Sequence, residues 1–163
     1  MKKEYNIEKL NPRRNPYAQE LKKEQLIVYA LLSSIGLDYW LHFQNKLDEL
    51  YMNNKDDLEL LELEGMDKKD SILHSLSLIN NKIDLNIFGR FLMEELKKLY
   101  KECNDLFSFT WKLFELSSHI PNTNIRFEQP FNVLDIANDE LGIYGEDKCK
   151  ELLEYAFNYY DNK

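Results

Sequence analysis

Three histidines each follow an acidic residue by four positions: Asp38 and His42, Asp70 and His74, Glu115 and His119. On a helix, residues four apart share a face, so each pair could chelate a metal. Three such pairs converging in a bundle would build a carboxylate–imidazole centre at His42, His74 and His119. The local sequence favours a plainer reading. Asp38 and Asp70 stand where Asp caps a helix start, and His119 stands at a helix end, where the dipole favours His. The tighter bundle signatures, paired Glu-x-x-His and His-Glu-x-x-His, do not occur in the chain. The expectation is therefore no metal and no cofactor, with the three-histidine bundle enzyme as the alternative.

Nucleophilic catalysis fares no better. Ser117, Ser118 and His119 are consecutive, but neighbours on a helix point apart. Gly-x-Ser-x-Gly is absent. The 2 cysteines, Cys103 and Cys149, fall in apolar-periodic segments and read as small buried thiols. Carboxylate pairs such as Asp56 and Asp57, Glu94 and Glu95, or Asp139 and Glu140 are abundant enough to be a solvated face. The expectation is a protein without catalysis.

The elements that would position these residues are helical. Apolar spacing near 3.6 predicts helices from Tyr17 to Ser33, from Asp38 to Met52, and a short acidic one over Asp56 to Glu64. Others follow over Ser71 to Asn80, Asp84 to Asn104, Asn132 to Leu141 and Glu146 to Tyr160. Gly89 inside the long helix weakens it relative to Ala by about 1 kcal/mol, which points to a close helix–helix contact. Residues 105–120 alternate like a strand around Phe107, Phe109, Trp111 and Leu113. Their length, and a narrow polar stripe at Ser108, Lys112, Glu115 and His119, favour a mostly buried central helix instead. The segment 121–130 reads as a loop with room for a short strand at Ile125–Phe127. The whole is an all-α, single-domain bundle of about seven helices over residues 16–163, preceded by a polar basic arm over residues 1–15.

Charge narrows the function classes. The 163 residues carry a net charge of −8, unevenly distributed. Residues 1–25 hold seven basic side chains against four acidic ones, a net +3, so the remaining 138 residues carry −11. Direct nucleic-acid binding by the body is thereby disfavoured, because phosphate affinity comes from clustered Lys and Arg. An acidic field instead steers association with a basic protein. Acid is densest between Asp56 and Asp70, which puts Asp56, Asp57, Glu59, Glu62 and Glu64 forward as partner-binding residues. Tyr155, Tyr159 and Tyr160 on the last helix make a second, aromatic candidate, since Tyr anchors interfaces at low entropic cost. Tyr39, Asp48 and Tyr51 form a similar group on the second helix.

The N-terminal stretch is charged and has no apolar core, and the longest apolar run, Leu26 to Leu32, is far below membrane-span length. These features predict a cytoplasmic protein without membrane contact. The preference for Lys, Asn, Ile and Tyr fits an AT-rich bacterial or phage genome.

Lys3-Glu4-Tyr5, Asn15-Pro16-Tyr17-Ala18 and Leu21-Lys22-Lys23 together resemble the leader of BrnA-like ribbon-helix-helix antitoxins. The resemblance covers residues 2–28. It implies a toxin-counteracting or mobile-element setting, and in that family the segment leads into a DNA-contacting strand. Here the chain continues Tyr-Ala-Leu-Leu-Ser-Ser-Ile-Gly-Leu-Asp-Tyr-Trp from Tyr29, which is a helical pattern.

The leading expectation is a non-catalytic acidic protein that neutralises a basic partner. It would be an immunity protein or antitoxin against a nuclease-type toxin, or a phage-encoded inhibitor of a bacterial defence protein such as a CRISPR effector. A further alternative is a transcriptional regulator contacting DNA through its basic N-terminal arm.

Overall fold

A computed structural model describes residues 16–80 and 83–161, with side chains from residue 23 onward. The expected basic arm at residues 1–15 lies outside the described residues. Among the described residues there are nine α-helices and no strand, so the all-α expectation stands and the expected count of about seven is too low. The helices are α1 (Pro16–Ser34), α2 (Trp40–Asn53), α3 (Leu58–Gly65), α4 (Lys68–Ser77), α5 (Leu85–Glu102), α6 (Leu106–His119), α7 (Thr123–Phe127), α8 (Asn132–Tyr144) and α9 (Glu146–Phe157). A single 3₁₀ turn, Leu78–Asn80, follows α4.

Aspartates cap four of the helices. Asp57 accepts from the amides of Glu59 and Leu60, Asp84 from Asn86 and Ile87, and Asp105 from Phe107 and Ser108. Two expected caps are displaced. The helix expected from Asp38 starts at Trp40, leaving Asp38 exposed in a bend before it. Asp67, not Asp70, caps α4, and Asp70 sits in the first turn, where the dipole still favours an acid. The strand expected at Ile125–Phe127 is helix α7: the Asn122 side chain accepts from the Asn124 amide and nucleates one turn. Helix α8 runs through Gly142 and stops only at Gly145, whose φ of +85° suits glycine.

The centre of the bundle is α1. One of its faces, Ile27, Val28, Leu31 and Leu32, joins the main core with Leu76, Phe88, Leu92, Leu96, Leu113, Leu116, Phe131, Leu134 and Leu153. The opposite face, Leu26 and Ala30, joins a second cluster with Phe43, Leu47, Leu50, Leu60 and Leu63. Helices α2, α4, α5 and α6 all pack on it. Even Glu24 is buried here, its Oε1 accepting from the Asp84 amide at 2.9 Å, so an α1 carboxylate supports the start of α5.

The helix expected over 105–120 is α6, and only the expectation that it is mostly buried is corrected. Helix α6 turns Phe109, Thr110, Leu113, Leu116 and Ser117 inward but leaves Phe107, Trp111 and Phe114 in solvent. Its outward face therefore carries three large rings beside Ser108, Lys112 and Glu115.

Candidate functional site

The three histidines go to different places. His42 is exposed and sits in a ring cluster with Tyr29 and Tyr39, at centroid distances of 5.5 and 5.4 Å. His74 is half-buried in α4, with its Nε2 out of solvent and without a hydrogen-bond partner among the described residues. His119 shares a 2.8 Å hydrogen bond through Nδ1 with Ser34 Oγ and so joins the ends of α6 and α1. Ser34 Oγ also lies 2.6 Å from the Leu31 carbonyl, to which it donates. With that one hydroxyl proton committed, His119 Nδ1 is the donor to Ser34, which makes the pair a structural tie. Among the described residues no group of three His, Cys, Asp or Glu side chains is placed to hold a metal ion. The alternative, in which His42, His74 and His119 converge on one site, finds no support in this arrangement.

The acidic candidates divide into two groups. Asp57 and Glu59 are turned to internal work, each oxygen 3.0 Å from Lys23 Nζ of α1. Burial would push the Asp57 carboxyl up, but the Lys23 ammonium and the amides of Leu60 and Glu59 outweigh it and hold it below its ordinary value. Burial likewise would lower Lys23, and its two carboxylates override this and raise it. Asp56, Glu62 and Glu64 are exposed. Between them stand two large apolar side chains, Leu58 (73% exposed) and Leu61 (47%). Leu58, Leu61 and Glu62 fall at i, i+3 and i+4 and share the outer face of α3, while Leu60 and Leu63 face inward. This outer surface is therefore acidic and apolar together.

The tyrosine candidates also divide. Tyr155 is exposed, with its hydroxyl 3.3 Å from Gln129 Oε1. Tyr159 is half-buried and meets both Tyr155 and Tyr160 edge-on. Tyr160 is a core residue at 7% exposure, its phenol pushed up to about 12 chiefly by burial. Of the three, only Tyr155 and part of Tyr159 reach the surface, and the expectation for Tyr160 is corrected: it closes the core beneath them. The two candidate groups lie on different walls, since α3 packs on α2 and α4, whereas α9 packs on α8 and α5.

Three features escaped the sequence reading. The first is the exposed aromatic row of α6. The second is the Tyr29–Tyr39–His42 cluster, tied to α5 by Tyr39 donating to Glu95 Oε2 at 3.0 Å. Burial, then the Glu95 charge, raises the Tyr39 phenol well above its ordinary value and keeps it a donor. The third is a cleft of about 300 Å³ between the α1–α2 turn and the start of α6, floored by Leu37, Leu99, Phe109 and Leu113 and edged by Cys103 and Lys112. Both cysteines are free; Cys149 is buried as expected, its thiol raised chiefly by burial, but Cys103 is only half-buried.

The α6–α8 seam is fastened by a polar knot. Arg126 donates from Nη2 to both oxygens of Asp135 at 2.9 and 3.2 Å and from Nε to Ser117 Oγ at 3.0 Å, and Ser117 donates to Asp135 Oδ1 at 2.8 Å. Further along, Thr110 meets Asn138 at 3.2 Å. These contacts fix which face of α6 remains outward. No protein-family model, curated protein or solved structure matches the chain.

Proposed function

We propose that the chain is a non-catalytic, acidic binding protein that neutralises a basic protein partner, as an antitoxin or immunity protein does to a nuclease-type toxin, or a phage inhibitor to a bacterial defence protein. The observation that carries this reading is the outer surface of α3, where exposed Asp56, Glu62 and Glu64 surround exposed Leu58 and Leu61. Carboxylates accelerate encounter with a basic surface, and apolar side chains supply the area whose burial holds the complex. Lys23 already satisfies Asp57 and Glu59, so the partner-facing acids reduce to Asp56, Glu62 and Glu64.

The test is capture of the partner from the native host, followed by binding measured across salt. Association should weaken steeply between low and physiological ionic strength and fall further in a chain carrying Asp56→Lys, Glu62→Lys and Glu64→Lys. Binding that ignores both salt and charge reversal removes the reading.

A further inference from the structure

Phe107, Trp111 and Phe114 recur at i, i+4 and i+7, so α6 presents them as one row. They are 61%, 54% and 42% exposed. Scattered surface hydrophobes are ordinary, but three large rings on successive turns are a contiguous apolar patch of the kind that marks an interaction site. The fold itself makes little use of them. The opposite face of α6 supplies the core and the Thr110 and Ser117 contacts to α8. Trp111 and Phe114 touch each other, with centroids 5.8 Å apart.

The surroundings of the row indicate what covers it. Phe107 opens onto a shallow groove shared with Asp105, Asp139, Glu146 and the exposed Ile143. Among the described residues no lysine or arginine lines this groove, although Glu146 is paired with Lys150 at 3.1 Å from outside it. On the other flank, Ser108, Lys112 and Glu115 follow the rings around the helix, all three exposed. A second copy of the chain would set these carboxylates against one another within a body of net charge −11, so like-charge repulsion opposes self-association.

We propose that the Phe107–Trp111–Phe114 row, extended by Ile143, docks a basic amphipathic segment of a protein partner. Apolar side chains of that segment cover the rings, and its Lys and Arg side chains meet Asp139 and Glu115 or lie over Trp111. This surface is separate from the outer face of α3. It borrows from the proposed function only the sign of the partner's charge, and the two fail independently.

The experiment uses the full chain and a synthetic helical peptide of leucine and lysine in amphipathic order. The chain has 2 tryptophans, so Trp40→Phe leaves Trp111 as the sole reporter. The expected result is a blue shift of Trp111 emission on adding the peptide, with little response to a scramble of equal composition or to a leucine–glutamate version. Phe107→Ser with Phe114→Ser should weaken peptide affinity at least tenfold and leave the thermal midpoint near its starting value. Asp56→Lys with Glu62→Lys and Glu64→Lys should change that affinity far less. Should Trp40→Phe not fold, calorimetric titration of the unaltered chain against Trp111→Ser reads the same loss. The proposal is overturned if peptide affinity survives the two serine substitutions, if the scramble binds equally well, or if raising the chain concentration alone buries Trp111 and yields a dimer by sedimentation.

Discussion

The ring of Tyr160 rests directly on the backbone of Gly89: a Cβ built there would stand 2.7 Å from Tyr160 Cζ, and closer still to the hydroxyl. Phe131 crowds the same point at 2.9 Å. Two effects therefore oppose each other in Gly89→Ala. Helix propensity favours alanine by about 1 kcal/mol, while forcing a methyl into a packed core costs about 1–3 kcal/mol or more. The neighbours are ring atoms of core residues and have little room to give, so net destabilisation is expected in urea unfolding. Tyr160→Leu should restore part of the loss in the double variant. A more stable Gly89→Ala chain would contradict the packing of Tyr160 and Phe131 on α5.

The bridge from Lys23 to Asp57 and Glu59 makes a prediction about pH. The folded Asp57 carboxyl lies below its unfolded value, so its contribution is present above about pH 4 and is lost as pH falls through the folded value. Lys23 is shifted up, so its contribution is intact below about pH 10.4 and is lost as pH rises through its folded value. Asp57→Asn keeps an α3 cap but removes the charge, and its unfolding free energy should fall less steeply under acid than that of the parent. Asp57→Ala removes cap and charge together and should cost about 1–2 kcal/mol at neutral pH.

Asp135 joins Arg126 and Ser117 in a site that is mostly out of water, with side-chain exposures of 24% for Arg126 and 19% for Asp135. Asp135→Ala strands a guanidinium and a buried hydroxyl. Full burial would make this cost about 3–5 kcal/mol; partial solvent access reduces the expectation to about 1–3 kcal/mol. Replacing Arg126 and Asp135 together by leucine should be milder than Asp135→Ala alone, which a double-mutant cycle by thermal or chemical unfolding will read.

The outward acids of α3 should be nearly silent in stability. Asp56→Lys, Glu62→Lys and Glu64→Lys remove no described hydrogen bond, so each should stay within about 0.5 kcal/mol of the parent. Together they relieve self-repulsion and can raise the melting temperature slightly. A loss above this range would show that these carboxylates hold the fold rather than face a partner.

Much of the helical frame was legible because its causes are local. Asp84 before an apolar-periodic run is a cap signal, and the long helix begins just after it. Gly89 signalled a close approach, and Tyr160 and Phe131 are what approach it. Asp38 misled because a chain-reversing bend between α1 and α2 places it two residues ahead of the helix. The short helix at Thr123–Phe127 was missed because one turn has no periodicity to detect; its signal was Asn122 as a cap. Phe107, Trp111 and Phe114 misled most, because apolar content states a preference for burial and is silent on whether the covering surface belongs to the same chain. Glu24 shows the converse: a charged residue that looks solvent-facing in sequence lies in the core because a helix start on another element needs its oxygen.

The position of α1 has a consequence for biosynthesis. It is made before every helix that packs on it, and it is apolar on two sides. Helices α2 and α4 follow within a few dozen residues and can cover part of it, but His119, which closes on Ser34, comes 85 residues later. At translation rates of about 5–20 residues per second that is a wait of roughly 4–17 s. During that interval the nascent chain holds a half-covered greasy helix outside the ribosome, the kind of surface that chaperones grip.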